Sequence, residues 1–311
     1  MQQEFRYVYQ VYKEGSISKA ARSLYITQPA LSIAIQKIED SIGLPLFDRS
    51  RHPLELTPAG RIYINTIEKM KNIDKELEQQ IQDIRQLNTG HVCMGGSHYL
   101  NAYILPEHLA AFNALHPGIE LELEEHSAAT LASMLSAHEL DITFSCNEKF
   151  MMDFERFPAF TDHVLLAVQE NLPINHLLSP SALSAQEIAD GRHLSDACPA
   201  ITLEPFRDVD FILLSSGNNL HDRSMEMFQD AGFEPHVIMQ LSQLVTAYHI
   251  TEHFPAATFV SDRLVMHTQA HLKYYKLDYE CAKRIFYVLL PKQNYTPVAV
   301  KKLIEYLMLH L

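Results

Sequence analysis

The stretch from residue 61 to residue 87 contains neither glycine nor proline, so nothing in it interrupts a helix. Apolar side chains recur along it at helical spacing, at Tyr63, Ile67, Met70, Ile73, Leu77, Ile81, Ile84 and Leu87. A helix of about 30 residues is about 45 Å long, and we expect it to separate two domains. We favour pairing of its apolar stripe with a second copy of the chain over packing against the chain's own domains.

The two sides of this helix differ in charge. Residues 1–90 hold 12 basic and 11 acidic side chains, which leaves 13 basic and 27 acidic of the totals of 25 and 38 in residues 91–311. Phosphate groups repel an acidic body, so any contact with DNA has to come from the N-terminal part. The net charge of −13 therefore does not exclude DNA as a partner.

Apolar residues at helical spacing predict three short helices before residue 44. The first helix ends at Gly15, and the second is capped by Ser16 or Ser18. The third helix is capped by Thr27 and ends by Gly43. Two helices joined by a short turn, the second with a polar N-terminal face, are typical of a helix-turn-helix.

Two short apolar stretches, 44–47 and 54–57, flank a basic turn at 48–53. They predict a small hairpin whose tip carries Arg49, Arg51 and His52, which suit phosphate groups or a minor groove. The pattern of helices and hairpin alone leaves DNA binding and any other role of a small helical domain equally open.

A set of positions in the first sixty residues carries a more specific signal. They are Gly15-Ser16-Ile17-Ser18-Lys19-Ala20-Ala21, Leu24, Gln28-Pro29-Ala30-Leu31-Ser32, Ile35, Ile38-Glu39, Gly43, Pro45-Leu46-Phe47, Arg49 and Leu56-Thr57-Pro58-Ala59-Gly60. In these residues the chain resembles the LysR family of bacterial transcription regulators. The resemblance implies a winged helix-turn-helix over 1–58 that binds double-stranded operator DNA. It also implies a dimerising linker helix with a hinge over 59–89, and a dimer or tetramer.

The resemblance places DNA-contacting residues at matching positions. They are Gln28, Pro29, Ala30 and Ser32 for base edges, and Ser18, Thr27, Arg49 and Arg51 for phosphates or the adjacent groove. Two alternatives stay open: Thr27 only caps the helix, and Arg49 pairs with Asp48. The chain has Ile33-Ala34 where the family often carries a basic or amide side chain. We therefore expect apolar contacts and DNA shape to carry more of the specificity.

From residue 90 onward, strand-like and helix-like segments alternate. Strands are predicted at 92–95, 119–124, 141–144, 164–168, 211–214, 258–260 and 285–290, which favours an open α/β sheet. Leu105-Pro106, Phe112, Pro117, Leu140-Asp141, Phe228, Gly232-Phe233 and Pro235 resemble the LysR effector-binding domain, whose fold is that of periplasmic binding proteins. The resemblance implies one domain over 90–311 with two subdomains, 91–162 with 268–311, and 163–267.

Ligands of such folds bind between the subdomains, at loops that follow strands and at helix N-termini. Polar side chains at these places suit a small organic anion or an amino-acid-like metabolite. The candidates are Ser97, His98, Tyr99, Ser127, Ser145, Cys146, Asn147, Ser215 and Ser216. Ser97 is the residue we favour most, and helix capping is the alternative for each. No arginine lies in these loops, which disfavours a dianionic effector.

Other function classes find less support in the sequence. Four cysteines without paired spacing predict reduced thiols and therefore a cytoplasmic protein. No apolar run is long enough to span a membrane, so we expect no membrane partner. The pairs His249–His253 and His267–His271 have metal-ligand spacing but no third ligand, so we expect no metal and no cofactor. Catalytic motifs of an enzyme and the secretory signal of a solute receptor are both missing.

Overall fold

The computed structural model describes residues 3–51, 53–84, 89–266, 271–292 and 295–311. The chain forms two compact units, Met1–Arg85 and Gln86–Leu311. None of the helices in the described ranges is both long and apolar enough to span a lipid bilayer. The first unit contains α1 (Gln3–Glu14), α2 (Ile17–Ser23), α3 (Gln28–Ile42), β1 (Phe47–Asp48), β2 (Glu55–Leu56) and α4 (Pro58–Ile84).

The helix boundaries of this unit follow the predicted capping residues. The side chain of Ser16, not that of Ser18, caps α2 by accepting a hydrogen bond from the Lys19 amide. Thr27 caps α3 in the same way, through the amide of Ala30. Gly43 ends α3 in the left-handed conformation that glycine adopts at no steric cost. The three predicted helices and the predicted hairpin of β1 with β2 are therefore confirmed.

The carboxylate of Glu39 ties the hairpin to α3. One carboxylate oxygen, Oε1, accepts hydrogen bonds from the backbone amides of Leu46 at 2.8 Å and Phe47 at 3.3 Å. The other oxygen, Oε2, pairs with the Arg49 guanidinium at 2.8 Å. Glu39 is buried, so these contacts satisfy groups that water does not reach. Arg49 thus pairs with Glu39 and not with Asp48, the partner considered from the sequence.

Helix α4 has two parts with different surroundings. In its first turns Ile64 and Ile67 are buried in the same core as Leu31 and Ile35 of α3, so the predicted boundary at residue 58 cuts through this core. Further along, four apolar side chains of the predicted stripe are exposed: Met70, Ile73, Leu77 and Ile81. Among the described side chains of the stripe, packing against the core of the first unit therefore holds at its beginning, at Ile67, and not at these four. The predicted end of the helix at Leu87 and the hinge residue Asn88 lie outside the described residues.

The second unit is an α/β structure. Its strands are β3 (Gly90–Gly96), β4 (Ile119–Glu125), β5 (Ile142–Ser145), β6 (Phe154–Gln169), β7 (Ala200–Ile201), β8 (Asp210–Leu214), β9 (His236–Leu241), β10 (Ala256–Ser261), β11 (Leu272–Leu277) and β12 (Lys283–Pro291). Its helices are α5 (Leu105–Leu115), α6 (Ala128–Ser136), α7 (Ile174–Leu177), α8 (Ala185–Ala189), α9 (Asn219–Asp230), α10 (Leu244–Thr251), α11 (Asp262–Val265) and α12 (Val298–His310). All seven strands predicted from the sequence are present.

The long strand β6 joins two half-sheets. Residues 154–163 of β6 pair with β12, and β5, β3 and β4 continue this first half-sheet. Residues 164–169 lie between β10 and β11 in the second half-sheet, which β8, β9 and β7 complete. The chain thus changes from one half-sheet to the other within a single strand.

Two features of this crossing differ from the sequence prediction. The strand predicted at 164–168 is only the end of β6, because charged residues and Pro158 mask the strand pattern of its first part. The return to the first half-sheet comes after β11 and not at the predicted residue 268, because residues 272–276 pair with the second part of β6.

We expect Glu39→Ala to lower the free energy of unfolding of the first unit by about 1–3 kcal/mol, because the amides of Leu46 and Phe47 lose their acceptor. Urea unfolding followed by circular dichroism measures the change. Asp40→Ala is the matched control on the same helix, since Asp40 is exposed, and it should change stability by less than about 0.5 kcal/mol. Equal effects of the two substitutions would contradict the role given to Glu39.

Candidate DNA interface and effector cavity

The first turn of α3 presents a polar, solvent-facing surface. Gln28, Pro29 and Ala30 are exposed and Ser32 is half-buried, whereas Leu31 and Ile35 on the other side of the helix are in the core. The cap at Thr27 and the fixed φ of Pro29 preorganise this turn. Of the predicted phosphate-binding residues, Ser18 is exposed on the first turn of α2, and Thr27 is exposed while it caps α3.

Two further residues of the helix-turn-helix are exposed without a role in the core. Tyr25, in the turn between α2 and α3, is 96% exposed and has a φ of 57°, a left-handed conformation that is rare for a bulky residue. Ile33, where the chain departs from the family pattern, is 58% exposed. Tyr25 could not be predicted as a site residue, since nothing in the sequence shows that the turn projects this side chain into solvent.

The two predicted arginines of the hairpin have different surroundings. The Arg49 side chain is half-exposed and bound to Glu39. Arg51 lies at the exposed tip, where its Nη1 is 3.2 Å from Glu55 Oε1. An exposed pair of this kind contributes little to stability, so Arg51 can exchange its partner for a phosphate at low cost. His52 lies outside the described residues.

The eight predicted effector-binding residues line one cavity of about 540 Å³ in the second unit. They are Ser97, His98, Tyr99, Ser127, Ser145, Cys146, Ser215 and Ser216, and Asn147 lies beside them. The first residues of α6, α9 and α10 also line the cavity, so their positive dipole ends face it. Loops of both half-sheets contribute, which is the arrangement expected for a ligand cleft.

A buried carboxylate lies beneath this cavity. Asp162 of β6 is 0% exposed, and its Oδ1 accepts hydrogen bonds from the hydroxyl groups of Tyr99, at 3.1 Å, and Ser261. Its Oδ2 is 2.6 Å from Nε of Arg284, which lies directly opposite on β12. The four side chains connect the first half-sheet, the second half-sheet and the strand that joins them. We refer to Asp162, Tyr99, Ser261 and Arg284 as the Asp162 cluster.

Arg284 lines the cavity although it is not among the residues predicted from the sequence. It is 6% exposed and lines the cavity, and the only hydrogen bond found for its guanidinium within the described ranges is the one from Nε to Asp162. Burial opposes its charge, but the Asp162 carboxylate outweighs burial and raises the pKa of the guanidinium above its usual value. None of the described loop residues that line the cavity is an arginine, as the sequence indicates, and Arg284 reaches the cavity from strand β12 instead.

The side chains predicted to bind the effector differ in whether they already form hydrogen bonds within the protein. The hydroxyl of Tyr99 is hydrogen-bonded to Asp162 and to Ser261. Burial raises the pKa of this hydroxyl well above its ordinary value. Ser145 accepts from the Asn147 amide. Burial also raises the pKa of the Cys146 thiol, which donates to Asn219 Oδ1. The hydroxyl of Ser97 forms no hydrogen bond with any described residue and is half-buried in the cavity wall.

The two histidines of the pair His249–His253 do not both lie on α10. His249 is near the end of α10 and pairs with Glu252 at 3.1 Å, whereas His253 follows the end of that helix. His267 lies outside the described residues.

Comparison with known proteins assigns the family. Residues 2–61 match the model described as "Bacterial regulatory helix-turn-helix protein, lysR family", and residues 85–311 match "LysR substrate binding domain". The chain is a LysR-type transcriptional regulator. The predicted family and fold class are thereby confirmed, and the protein is a DNA-binding regulator with an effector-binding domain.

Relatives of this regulator span different shares of its length. YcgK, an HTH-type transcriptional regulator of Bacillus subtilis, is 26% identical over 307 residues, which cover 96% of this chain and 91% of YcgK. A probable RuBisCO transcriptional regulator of Trichormus variabilis is 31% identical over 52% of this chain and 48% of its own length.

Solved structures of the family share the fold. Full-length CbnR in complex with its target DNA has a TM-score of 0.65 at 18% identity and covers 99% of both chains. A full-length OxyR variant from Pseudomonas aeruginosa has a TM-score of 0.64 at 20% identity, with 98% of this chain and 97% of OxyR covered.

Proposed function

We propose that this regulator reads operator DNA with the first turn of α3 and changes its hold on DNA when a small organic anion fills the effector cavity. It acts by binding and not by converting the anion. The observation that carries the DNA half is the exposed turn Gln28–Ala30 at the start of a helix whose opposite side is fixed in the core. In a helix-turn-helix this is the part that enters the major groove.

The contacts divide into base readout and positioning. The Gln28 amide can form a bidentate contact with an adenine, the Ser32 hydroxyl accepts or donates at a base edge, and Pro29 and Ala30 suit thymine methyl groups. The exposed Ile33 extends the apolar part of this surface. Ser18, Thr27 and Arg51 bind phosphates, while Arg49, held by Glu39, aligns the hairpin.

The exposed stripe on α4 supports a dimer. Met70, Ile73, Leu77 and Ile81 leave a run of apolar surface in solvent along one helix, and water disfavours such a surface by roughly 25 cal/mol per Å². A second copy that covers the stripe removes this cost and doubles the DNA contacts. We therefore propose that two chains pair through α4.

We expect Gln28→Ala and Ser32→Ala each to lose about 1–3 kcal/mol of discrimination between the preferred base and its competitors. The preferred sequence is first selected from a random duplex pool with the wild-type chain, and affinities are then measured by fluorescence anisotropy at fixed salt. Gln10→Ala on α1 is the matched control and should bind like the wild type. Unchanged base preference in both α3 variants would contradict readout by this turn.

The cavity favours an anion with a single carboxylate. Three helix N-termini and the remaining N–H groups of Arg284 offer donors and positive potential. The charge of Arg284 is already balanced by Asp162, and no other arginine or lysine is among the described cavity residues, so a second negative charge on the ligand would have no arginine or lysine of its own. Ser97 adds a free hydroxyl at the same wall. These features support a monocarboxylate of metabolite size, with polar groups for the serines.

We expect small monocarboxylates to raise the thermal unfolding midpoint of the full chain, whereas their neutral amides do not. Arg284→Lys should weaken this binding at least about ten-fold, because lysine keeps a charge opposite Asp162 but lacks the planar set of N–H donors. Arg207→Lys, at an exposed arginine of the same unit, is the control and should bind normally. Equal stabilisation by acids and amides would show that the cavity does not select for an anion.

A further inference from the structure

Three side chains with metal-ligating atoms meet where β6 enters the second half-sheet. Oδ2 of Asp262 is 3.1 Å from Nδ1 of His163 and 3.0 Å from Nε2 of His193. The side chains of Asp262 and His193 are 5% and 1% exposed, while that of His163 is 31% exposed. Within the described ranges, this is the one group of three or more His, Cys, Asp or Glu residues whose ligand atoms lie within 4.8 Å of one another.

The spacing suits a tetrahedral metal ion. Zinc bonds to nitrogen and oxygen of about 2.0–2.2 Å place neighbouring ligand atoms about 3.3 Å apart. The two contacts to Oδ2, at 3.0 and 3.1 Å, need to lengthen by only a few tenths of an ångström. A metal ion can therefore replace the two ring protons, on Nδ1 of His163 and Nε2 of His193, that are directed at Oδ2 of Asp262. Two imidazoles and one carboxylate occupy three of the four tetrahedral coordination positions, which leaves the fourth for water. The side chain of His163 is partly exposed, so an ion can reach the site from solvent.

The carboxylate is oriented for such an ion. Its other oxygen, Oδ1, accepts hydrogen bonds from the backbone amides of His163, at 3.1 Å, and Arg263, at 2.8 Å. These bonds leave Oδ2 as the oxygen that faces both rings, and bonds of this kind fix ligands in metal sites. Burial opposes ionisation, but hydrogen bonds from the side chains of His163 and His193 outweigh it and hold the pKa of Asp262 below its ordinary value.

The ring nitrogen of His193 that faces away from Asp262, Nδ1, limits the affinity for a metal ion. Nδ1 is buried and has no hydrogen-bond partner among the residues that the structure describes. With the ring proton on Nε2, directed at Asp262, this nitrogen is a bare acceptor. An ion on Nε2 moves the remaining proton to Nδ1, where it finds no acceptor. Loss of that outer hydrogen bond typically costs about 10–100-fold in metal affinity, so a bound ion should exchange with solution.

We propose that His163, His193 and Asp262 form an exchangeable site for a divalent transition-metal ion of the Zn²⁺ type. The site is adjacent to the Asp162 cluster along the chain: His163 follows Asp162 on β6, and Asp262, the first residue of α11, follows Ser261, the last residue of β10. An ion held here ties β6 to the second half-sheet next to the hydrogen bond between Asp162 and Ser261. Metal binding would therefore stiffen the crossing between the half-sheets on which the cavity is built.

Titration of the metal-free full chain with Zn²⁺, in competition with a chromogenic chelator, tests the proposal. We expect one zinc ion per chain whose affinity falls at least about ten-fold in both His163→Gln and Asp262→Asn. His236→Gln is the matched control, because His236 pairs with Asp210 at 2.7 Å on the exposed edge of the same half-sheet. The proposal would be overturned if the wild type binds no zinc ion, or if the zinc affinity of the two variants falls no more than that of the control.

A spectroscopic variant separates ligation from loss of folding. His163→Cys supplies a thiolate at the half-exposed position, so the Co²⁺-loaded chain should gain a thiolate-to-metal charge-transfer band that the wild type lacks. Zinc affinity should remain within about ten-fold of the wild-type value. A Co²⁺-loaded variant without this band would show that residue 163 does not reach the ion, and the site would be refuted. Thermal unfolding of each metal-free variant verifies that it is folded.

Discussion

The carboxylate of Asp162 is fully buried where β6 passes from one half-sheet of the effector-binding unit to the other. A buried charge is tolerated only when it is paired and hydrogen-bonded, and here the Arg284 guanidinium and the hydroxyls of Tyr99 and Ser261 meet that need. Because these partners come from both half-sheets, the carboxylate fixes how the two halves meet. Arg284 also lines the effector cavity, so structural stability and the proposed ligand recognition share one cluster.

The DNA-binding unit uses a comparable device on a smaller scale. Glu39 is buried on α3 and binds two backbone amides and Arg49 of the hairpin. It sets the position of the hairpin relative to the helix that carries Gln28. The buried contacts of Glu39 are thus separate from the exposed side chains of Gln28, Pro29 and Ala30 on the first turn of α3.

The sequence predicted what depends on local patterns and missed what depends on distant contacts. Capping residues such as Thr27 and Gly43 act within one turn, so the three N-terminal helices were predictable. The cavity loops were also predictable, because residues at the ends of strands meet at one edge of a sheet. In contrast, Arg284 and Asp162 lie 122 residues apart, and β6 bears charges and a proline in its first part. His163, His193 and Asp262 come together at the same crossing. They are far apart along the chain, so no short metal-ligand motif in the sequence indicates their contact.

A hydroxyl-radical footprint of the full chain on a selected duplex tests the central claim, that paired copies read DNA through α3. The account predicts two protected patches on one face of the duplex, separated by a whole number of helical turns of about 10 base pairs each. Leu77→Glu, which places a charge in the exposed stripe of α4, should reduce them to one weaker patch. A wild-type footprint without defined patches at low salt, or one that Leu77→Glu leaves unchanged, would contradict the account.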